Sequence, residues 1–236
     1  MILTHCPFSP TPKSADWNPK DKGSLDYKGK EKYFADMVAY MDQLVGKIVS
    51  KVDELRLSEN TLILFTGDNS TDKPVVTNFR GIEYPGGKKK TTDNGTHVPL
   101  IARWKGTIKK NTECLELVDF SDFLPTICEA ANINIPSEFP LDGQSFFHHL
   151  TGEQKEGRKW IYSWYSMTGK LREIARTTEY KLYKSGQFYN VKKDFFEKKP
   201  IEENNMTAKE KEIHAILKDV IDSYQNVPCE VTKRGK

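Results

Sequence analysis

The feature that most constrains this chain is Thr61-Leu62-Ile63-Leu64-Phe65-Thr66, an apolar run stopped at once by Gly67-Asp68-Asn69-Ser70. A strand with one wet face alternates polar and apolar residues. A run without alternation suits a strand covered on both faces, and that favours a parallel sheet flanked by helices. The preceding residues supply such a helix. Phe34, Met37, Met41, Leu44, Ile48, Val52 and Leu55 recur at steps of three and four, and Val38, Val45 and Val49 widen the stripe. The spacing predicts an amphipathic helix with one face on a core, broken at Ser58-Glu59-Asn60. Val98 to Trp104 predicts a second core strand, and residues 115–131 a short strand and then a helix around Phe123, Leu124, Ile127 and Ala130. This alternation of elements points to a layered α/β fold.

The ends of the chain read differently. Met1 to Thr4 predicts a short strand ending at His5, and residues 7–30, rich in Pro, Ser, Asp, Lys and Gly, a long surface loop. From about residue 151 the pattern shifts to short strand-like runs at Trp160–Tyr165, Leu171–Arg176, Tyr180–Tyr183 and Gln187–Val191, separated by turn residues. They predict a small antiparallel sheet. Thr207 with Glu210 forms a capping-box signature, and Ile213, Ile216, Leu217, Val220 and Tyr224 form the predicted buried stripe of the final helix. The expected division is 1–150 for the layered α/β part and 151–236 for a C-terminal subdomain with a small antiparallel sheet and a helix.

Composition narrows the function classes. With 37% hydrophobic and 29% charged residues among 236, the chain has a soluble globular balance. A net charge of +3 is too small to argue for nucleic acid. No apolar run reaches the length of a membrane span. Cys6, Cys114, Cys128 and Cys229 form no CxxC and no zinc spacing. The first residues lack a basic segment followed by an apolar one, so no secretory signal is expected and localisation stays open.

In open α/β sheets ligands bind beyond the carboxyl ends of the strands. That rule singles out His5, Asp68, Asn69 and the loop Gly86-Gly87-Lys88-Lys89-Lys90. Asp68 and Asn69 offer adjacent hard oxygen donors of the kind Ca²⁺ or Mg²⁺ takes; the alternative is a turn or a helix cap. Lys88 is a point cation suited to a tetrahedral oxyanion, or else part of a solvated loop. His5 is a candidate proton donor, or else a satisfied polar residue. His97 and His214 carry no better case, and His148 and His149, after Phe146-Phe147, are expected to cap or flank a helix.

These segments occur in the order of a known family. Thr4-His5-Cys6-Pro7, Tyr33-Phe34-Ala35-Asp36, Thr66-Gly67-Asp68-Asn69, Gly86-Gly87-Lys88 with Asp93, Gly95, Val98 and Pro99, and Leu141-Asp142-Gly143-Gln144-Ser145 resemble successive motifs of the sulfatases, enzymes of the alkaline-phosphatase-like superfamily. Ala175-Arg176-Thr177 to Leu182 resembles their C-terminal subdomain. His97 stands where that family usually has Arg, and Asn94 where it often has Gly. The resemblance implies a partial alkaline-phosphatase-like sheet and a sulfuric ester hydrolase. It implies that Asp68 and Asn69 are ligands of a divalent cation, usually Ca²⁺ with Mg²⁺ possible. It implies that Lys88 and His5 grip the sulfate of a sulfate ester, such as that of a sulfated carbohydrate. Charge that builds on the sulfuryl oxygens during transfer is what such groups stabilise.

The same resemblance implies a gap. The family's nucleophile is a formylglycine made within a Cys-or-Ser-x-Pro-x-Arg motif that this chain does not contain. Cys6-Pro7-Phe8-Ser9-Pro10 has its proline one place early and no arginine. The expectation is the C-terminal part of a sulfatase, inactive without its N-terminal half. Phosphonate monoester hydrolases and phosphodiesterases of the superfamily are the nearest alternative, and a non-catalytic anion- or glycan-binding module is the alternative from another class.

Overall fold

Apolar residues at helical spacing, uninterrupted by proline, form α1, Phe34–Glu54. The computed structural model describes residues 8–18, 20, 31–79, 81–166 and 171–224. The expected first strand, with His5 and Cys6, lies outside the described residues. The chain divides into two units, residues 1–90 with 94–106, and residues 91–93 with 107–236.

In the first unit, both ends of α1 are tied down by polar bonds. The Asp36 carboxylate accepts from the Thr11 N–H at 3.0 Å and from its hydroxyl at 2.9 Å, while Phe8 packs edge-on against Phe34. At the other end Asp53 accepts from the Ser58 hydroxyl and, at 2.7 and 3.0 Å, from Arg103 Nη2. The Ser58 bond first, and Arg103 second, hold its carboxyl below the usual range.

β1, Ile63–Thr66, follows. Next come a hairpin of β2, Val76–Phe79, and β3, Ile82–Pro85, the one-turn helix α2, Asp93–Thr96, and β4, Leu100–Arg103. The hairpin falls where only a loop was expected; it turns at Gly81, whose φ of +81° a residue with a Cβ rarely adopts. β1 and β4 pair antiparallel, Thr66 opposite Leu100, and every residue of β1 is half-buried. The sequence favoured a parallel, fully covered strand. An unbroken apolar run reports which faces can be covered, and carries no information on a partner's direction.

No residue of α1 is buried, and Ile48, Leu55 and Ile101 stand 52%, 56% and 60% exposed. Among the described residues, then, the expected packing of one α1 face on a core is incomplete.

The second unit does have a core. A 3-10 turn, Phe120–Asp122, leads into α3, Phe123–Ala130, and α4 spans Phe147–Thr151. His148 and His149 lie inside α4, where the sequence placed them at a helix edge. Leu117 makes a single bridge to Arg158 in place of the expected short strand. Four strands then form an antiparallel meander in chain order: β5, Ile161–Tyr165; β6, Arg172–Arg176; β7, Tyr180–Tyr183; β8, Phe188–Asn190.

Helix α5, Ala208–Ser223, lies on that meander. Its start is set by the predicted capping box: Thr207 accepts from the Glu210 N–H, and Glu210 accepts from the Thr207 N–H at 2.8 Å. Leu217, Val220 and Ile221 are buried against Ala175, Tyr180, Leu182 and Phe188. Each of those three side chains contributes about 1.5–3 kcal/mol by burial. Ile216, placed by the sequence in the buried stripe, is 45% exposed, and Ile221 takes that role. A flat sheet accepts only a narrow arc of a helix, and Ile216 lies beyond its edge.

Several charged groups inside this unit are paired. Lys181, fully buried, donates to the Thr91 carbonyl at 2.8 Å and pairs with Glu197, which also accepts from the Tyr183 hydroxyl. Burial pushes the Lys181 ammonium below its ordinary pKa, with Glu197 acting against it. Arg176 and Asp93 pair at 2.9 Å. Asp122 and Arg158 form a second buried pair, with side chains 2% and 6% exposed.

Candidate functional site

Asp68 and Asn69 stand just past the carboxyl end of β1, the side chain of Asp68 exposed and that of Asn69 half-buried. The chain does not leave the neighbourhood after them. The Lys88 N–H donates to the Thr71 carbonyl at 3.0 Å, the Gly86 N–H to the Val75 carbonyl at 2.7 Å, and the Ser70 N–H to the Gly95 carbonyl at 3.4 Å. These bonds fold the lysine-bearing loop back on the loop that opens at Asp68-Asn69. Two of the three described candidate positions are consecutive, and the third is hydrogen-bonded into their loop from far along the chain.

The two glycines before Lys88 are required by contact. A Cβ on Gly86 would stand 1.9 Å from the Asp72 carbonyl oxygen, and one on Gly87 would stand 2.2 Å from that of Asn94. Backbone meets backbone there, so no side chain can yield. Beyond them the Lys90 N–H closes a turn on the Gly87 carbonyl at 2.8 Å, with Lys89 at φ +73°. A type II turn puts positive φ at its third residue, where Gly or Asn is usual. Lys89 therefore holds a conformation that costs an ordinary residue about 1–3 kcal/mol.

Asn94, a departure from the family pattern, is 1% exposed and donates from Nδ2 to the Pro85 carbonyl at 2.9 Å. Sequence reasoning missed this clamp; a buried amide has the same one-letter signal as a turn amide. His97, the other departure, is exposed.

Chemically, the site offers one carboxylate and one amide oxygen for a hard cation, with Lys88, a half-buried residue, on the loop tied to theirs by its backbone. That donor set fits part of a Ca²⁺ or Mg²⁺ site, since Ca²⁺ takes about 6–8 oxygens. Among the described residues no group of three or more His, Cys, Asp or Glu is placed to hold a metal ion. A complete site of that kind would need further oxygen donors. His5 lies outside the described residues, and among the described residues no helix is long and apolar enough to cross a membrane.

Comparison with known proteins gives this arrangement its context. Residues 4–133 match the model of the sulfatases, and residues 87–227 that of the N-sulphoglucosamine sulphohydrolase C-terminal region. Human steryl-sulfatase is 32% identical over 140 residues, covering 56% of this chain and 24% of the relative. The N-acetylgalactosamine-6-sulfatase of Canis lupus familiaris is 33% identical over 131 residues, covering 55% of this chain and 25% of the relative. The solved structure of BT4656, in complex with its substrate D-glucosamine-2-N,6-O-disulfate, superimposes with a TM-score of 0.68 at 23% identity, covering 90% of this chain and 46% of that one. The structure of Ps i-CgsB with k-i-k-neocarrahexaose gives 0.67 at 22%, covering 90% and 48%. The chain thus has the alkaline-phosphatase-like fold of these structures. It spans about a quarter of the length of the curated relatives and about half of the solved chains.

Proposed function

The chain belongs to the sulfatase family, and we propose that it supplies the metal-holding and sulfate-gripping part of a sulfuric ester hydrolase. The observation that carries this reading is the Lys88 N–H bond to the Thr71 carbonyl, which ties the lysine loop to the loop of Asp68 and Asn69. Asp68 and Asn69 are two ligands of a divalent cation, Ca²⁺ by the family resemblance. That cation supplies Lewis-acid stabilisation of a sulfuryl oxygen when bound. Lys88 offsets charge on the non-bridging oxygens, and His5 hydrogen-bonds the sulfate near the leaving oxygen. The catalytic residues thus fall within 1–150, and 151–236 forms a C-terminal subdomain.

The substrate class is a sulfate ester of a carbohydrate, as in the name of the N-acetylgalactosamine-6-sulfatase and in the disulfated glucosamine complex, with a steryl sulfate, after the name of the other relative, as the alternative. The nucleophile and remaining ligands come from an N-terminal half, which packs on the incompletely covered apolar stripe of α1 and on β1. The chain by itself then performs no turnover.

The test is sulfate release from 4-nitrophenyl sulfate and glucosamine 6-sulfate. It is run with the isolated chain and with a polypeptide extended upstream to include a formylglycine motif, each with Ca²⁺ and with chelator. Activity only in the extended form, lost with chelator and in Asp68→Ala and Lys88→Ala, supports the reading. Release by the isolated chain, or preferential release of phosphate from the matching phosphate esters, overturns it.

A further inference from the structure

The turn that carries Lys88 holds more cationic charge than a single sulfate grip uses. Lys88, Lys89 and Lys90 are consecutive, Lys88 half-buried and the other two exposed. Among the described residues none of the three has an ion-pair partner. The carboxylates nearest along the chain are engaged elsewhere or stand apart. Asp72 accepts from the Lys73 N–H at 2.8 Å, Asp93 pairs with Arg176 at 2.9 Å, and Asp68 is the proposed cation ligand. Glu83, exposed on β3, pairs with none of the lysines. Neighbouring Cα atoms are about 3.8 Å apart, well inside the Debye length of about 8 Å at physiological salt. Three like charges so close repel one another, and a bound anion relieves that repulsion.

The backbone singles out Lys89. The Lys90 N–H bond to the Gly87 carbonyl puts Lys88 and Lys89 at the two central positions of the turn, Lys89 at φ +73°. Glycine would take that conformation without strain, so a long cationic side chain stands where the backbone disfavours any side chain. Strain of this kind collects at ligand-binding sites. The turn is also fixed at its base, by the Lys88 N–H bond to the Thr71 carbonyl and by the backbone packed against Gly86 and Gly87. Lys88 and Lys89 therefore start from adjacent, fixed positions, each with a four-carbon stem to extend. With a sulfate on Lys88, an anionic group elsewhere on the same sugar or on the next one comes within reach of its neighbours.

We infer that Lys89 and Lys90 bind a second anionic group of the same substrate, a sulfate or a carboxylate, so that the substrate is a polyanionic saccharide. The inference rests on the reading of Lys88 as the sulfate grip and narrows it. A steryl sulfate, with one anionic group, would leave Lys89 and Lys90 without a role.

The experiment titrates the full chain by calorimetry, with Ca²⁺ present and at matched ionic strength, against three probes. They are N-acetylglucosamine 6-sulfate, with one anionic group, D-glucosamine-2-N,6-O-disulfate, with two sulfates, and the chondroitin 6-sulfate disaccharide, with a sulfate and a carboxylate. At least one doubly anionic probe should bind about ten-fold more tightly than the first, the gain of one charge-assisted contact. That preference should disappear in Lys89→Gly and in Lys89→Gln. Lys89→Gly also removes the positive-φ strain, so its urea midpoint should not fall and misfolding cannot account for the loss. The probe that is preferred identifies the second group as sulfate or carboxylate. Lys88→Ala should weaken all three probes. If it weakens none while the Lys89 variants lose the preference, the sulfate grip is misassigned and the second anion contact stands. Absence of a preference, a preference that survives both Lys89 variants, or a chain that binds none of the probes overturns the inference.

Discussion

The Asp122–Arg158 pair is expected to break asymmetrically. Asp122 accepts from Arg158 and also from the backbone N–H groups of Gln144 and Asp119, both at 2.7 Å. Removing it as Asp122→Ala leaves a buried guanidinium without counter-charge and two N–H groups without acceptors. Losing one partner of a buried pair costs about 3–5 kcal/mol, and each orphaned donor adds about 1 kcal/mol. Asp122→Ala should therefore cost about 5 kcal/mol or more. Arg158→Met keeps most of the side-chain volume and leaves the carboxylate with both backbone donors. It should cost less, about 2–3 kcal/mol. In the double variant Asp122→Leu/Arg158→Met no charge is left unpaired, so its cost should fall below that of Asp122→Ala alone. Urea unfolding of the full chain gives the totals. Hydrogen exchange over residues 117–126 and 142–160 shows whether the loss is local. Arg158→Met as costly as Asp122→Ala, or a double variant equal to the sum of the singles, would refute the reasoning.

The other predictions concern the core, the helix cap and the lysine loop. Leu217, with no exposed surface, should cost about 2–5 kcal/mol as Leu217→Ala, whereas Ile216→Ala, at a 45% exposed position, should stay under about 1 kcal/mol; urea unfolding separates them. Thr207→Ala should lose about 1 kcal/mol and fray the first turn of α5 in hydrogen exchange. Glu210 has its pKa lowered, chiefly by the Thr207 backbone hydrogen bond, from the ordinary 4.5. A depressed folded pKa means stability that is present above 4.5 and lost as pH falls through the lower folded value. Hydrogen-exchange protection at the start of α5, taken relative to the intrinsic rate at each pH, should therefore fall on acidification, and in Glu210→Gln that pH dependence should shrink. Gly87→Ala places a Cβ 2.2 Å from the Asn94 carbonyl oxygen. In the extended enzyme this should reduce kcat/KM for sulfate release by about 10²-fold, the usual effect of moving a catalytic group by 1 Å; a normal rate would place Lys88 outside the site.

The sequence by itself determined the local elements whose signal is periodic or chemical. The stripe from Phe34 to Leu55 specified α1, the Thr207–Glu210 pair specified the start of α5, and short runs between turn residues specified the four-stranded meander. The Gly-Gly-Lys spacing marked a loop whose backbone must approach other backbone closely, and the contacts of Gly86 and Gly87 are the physical reason. Other features depend on which surfaces meet. The antiparallel pairing of β1 with β4, the burial of Ile221 in place of Ile216, and the Asn94 clamp on Pro85 leave no periodic trace. Nor does the buried Asp122–Arg158 pair, whose partners lie in separate segments. A residue's period records that a face is covered, and only the tertiary structure decides by what.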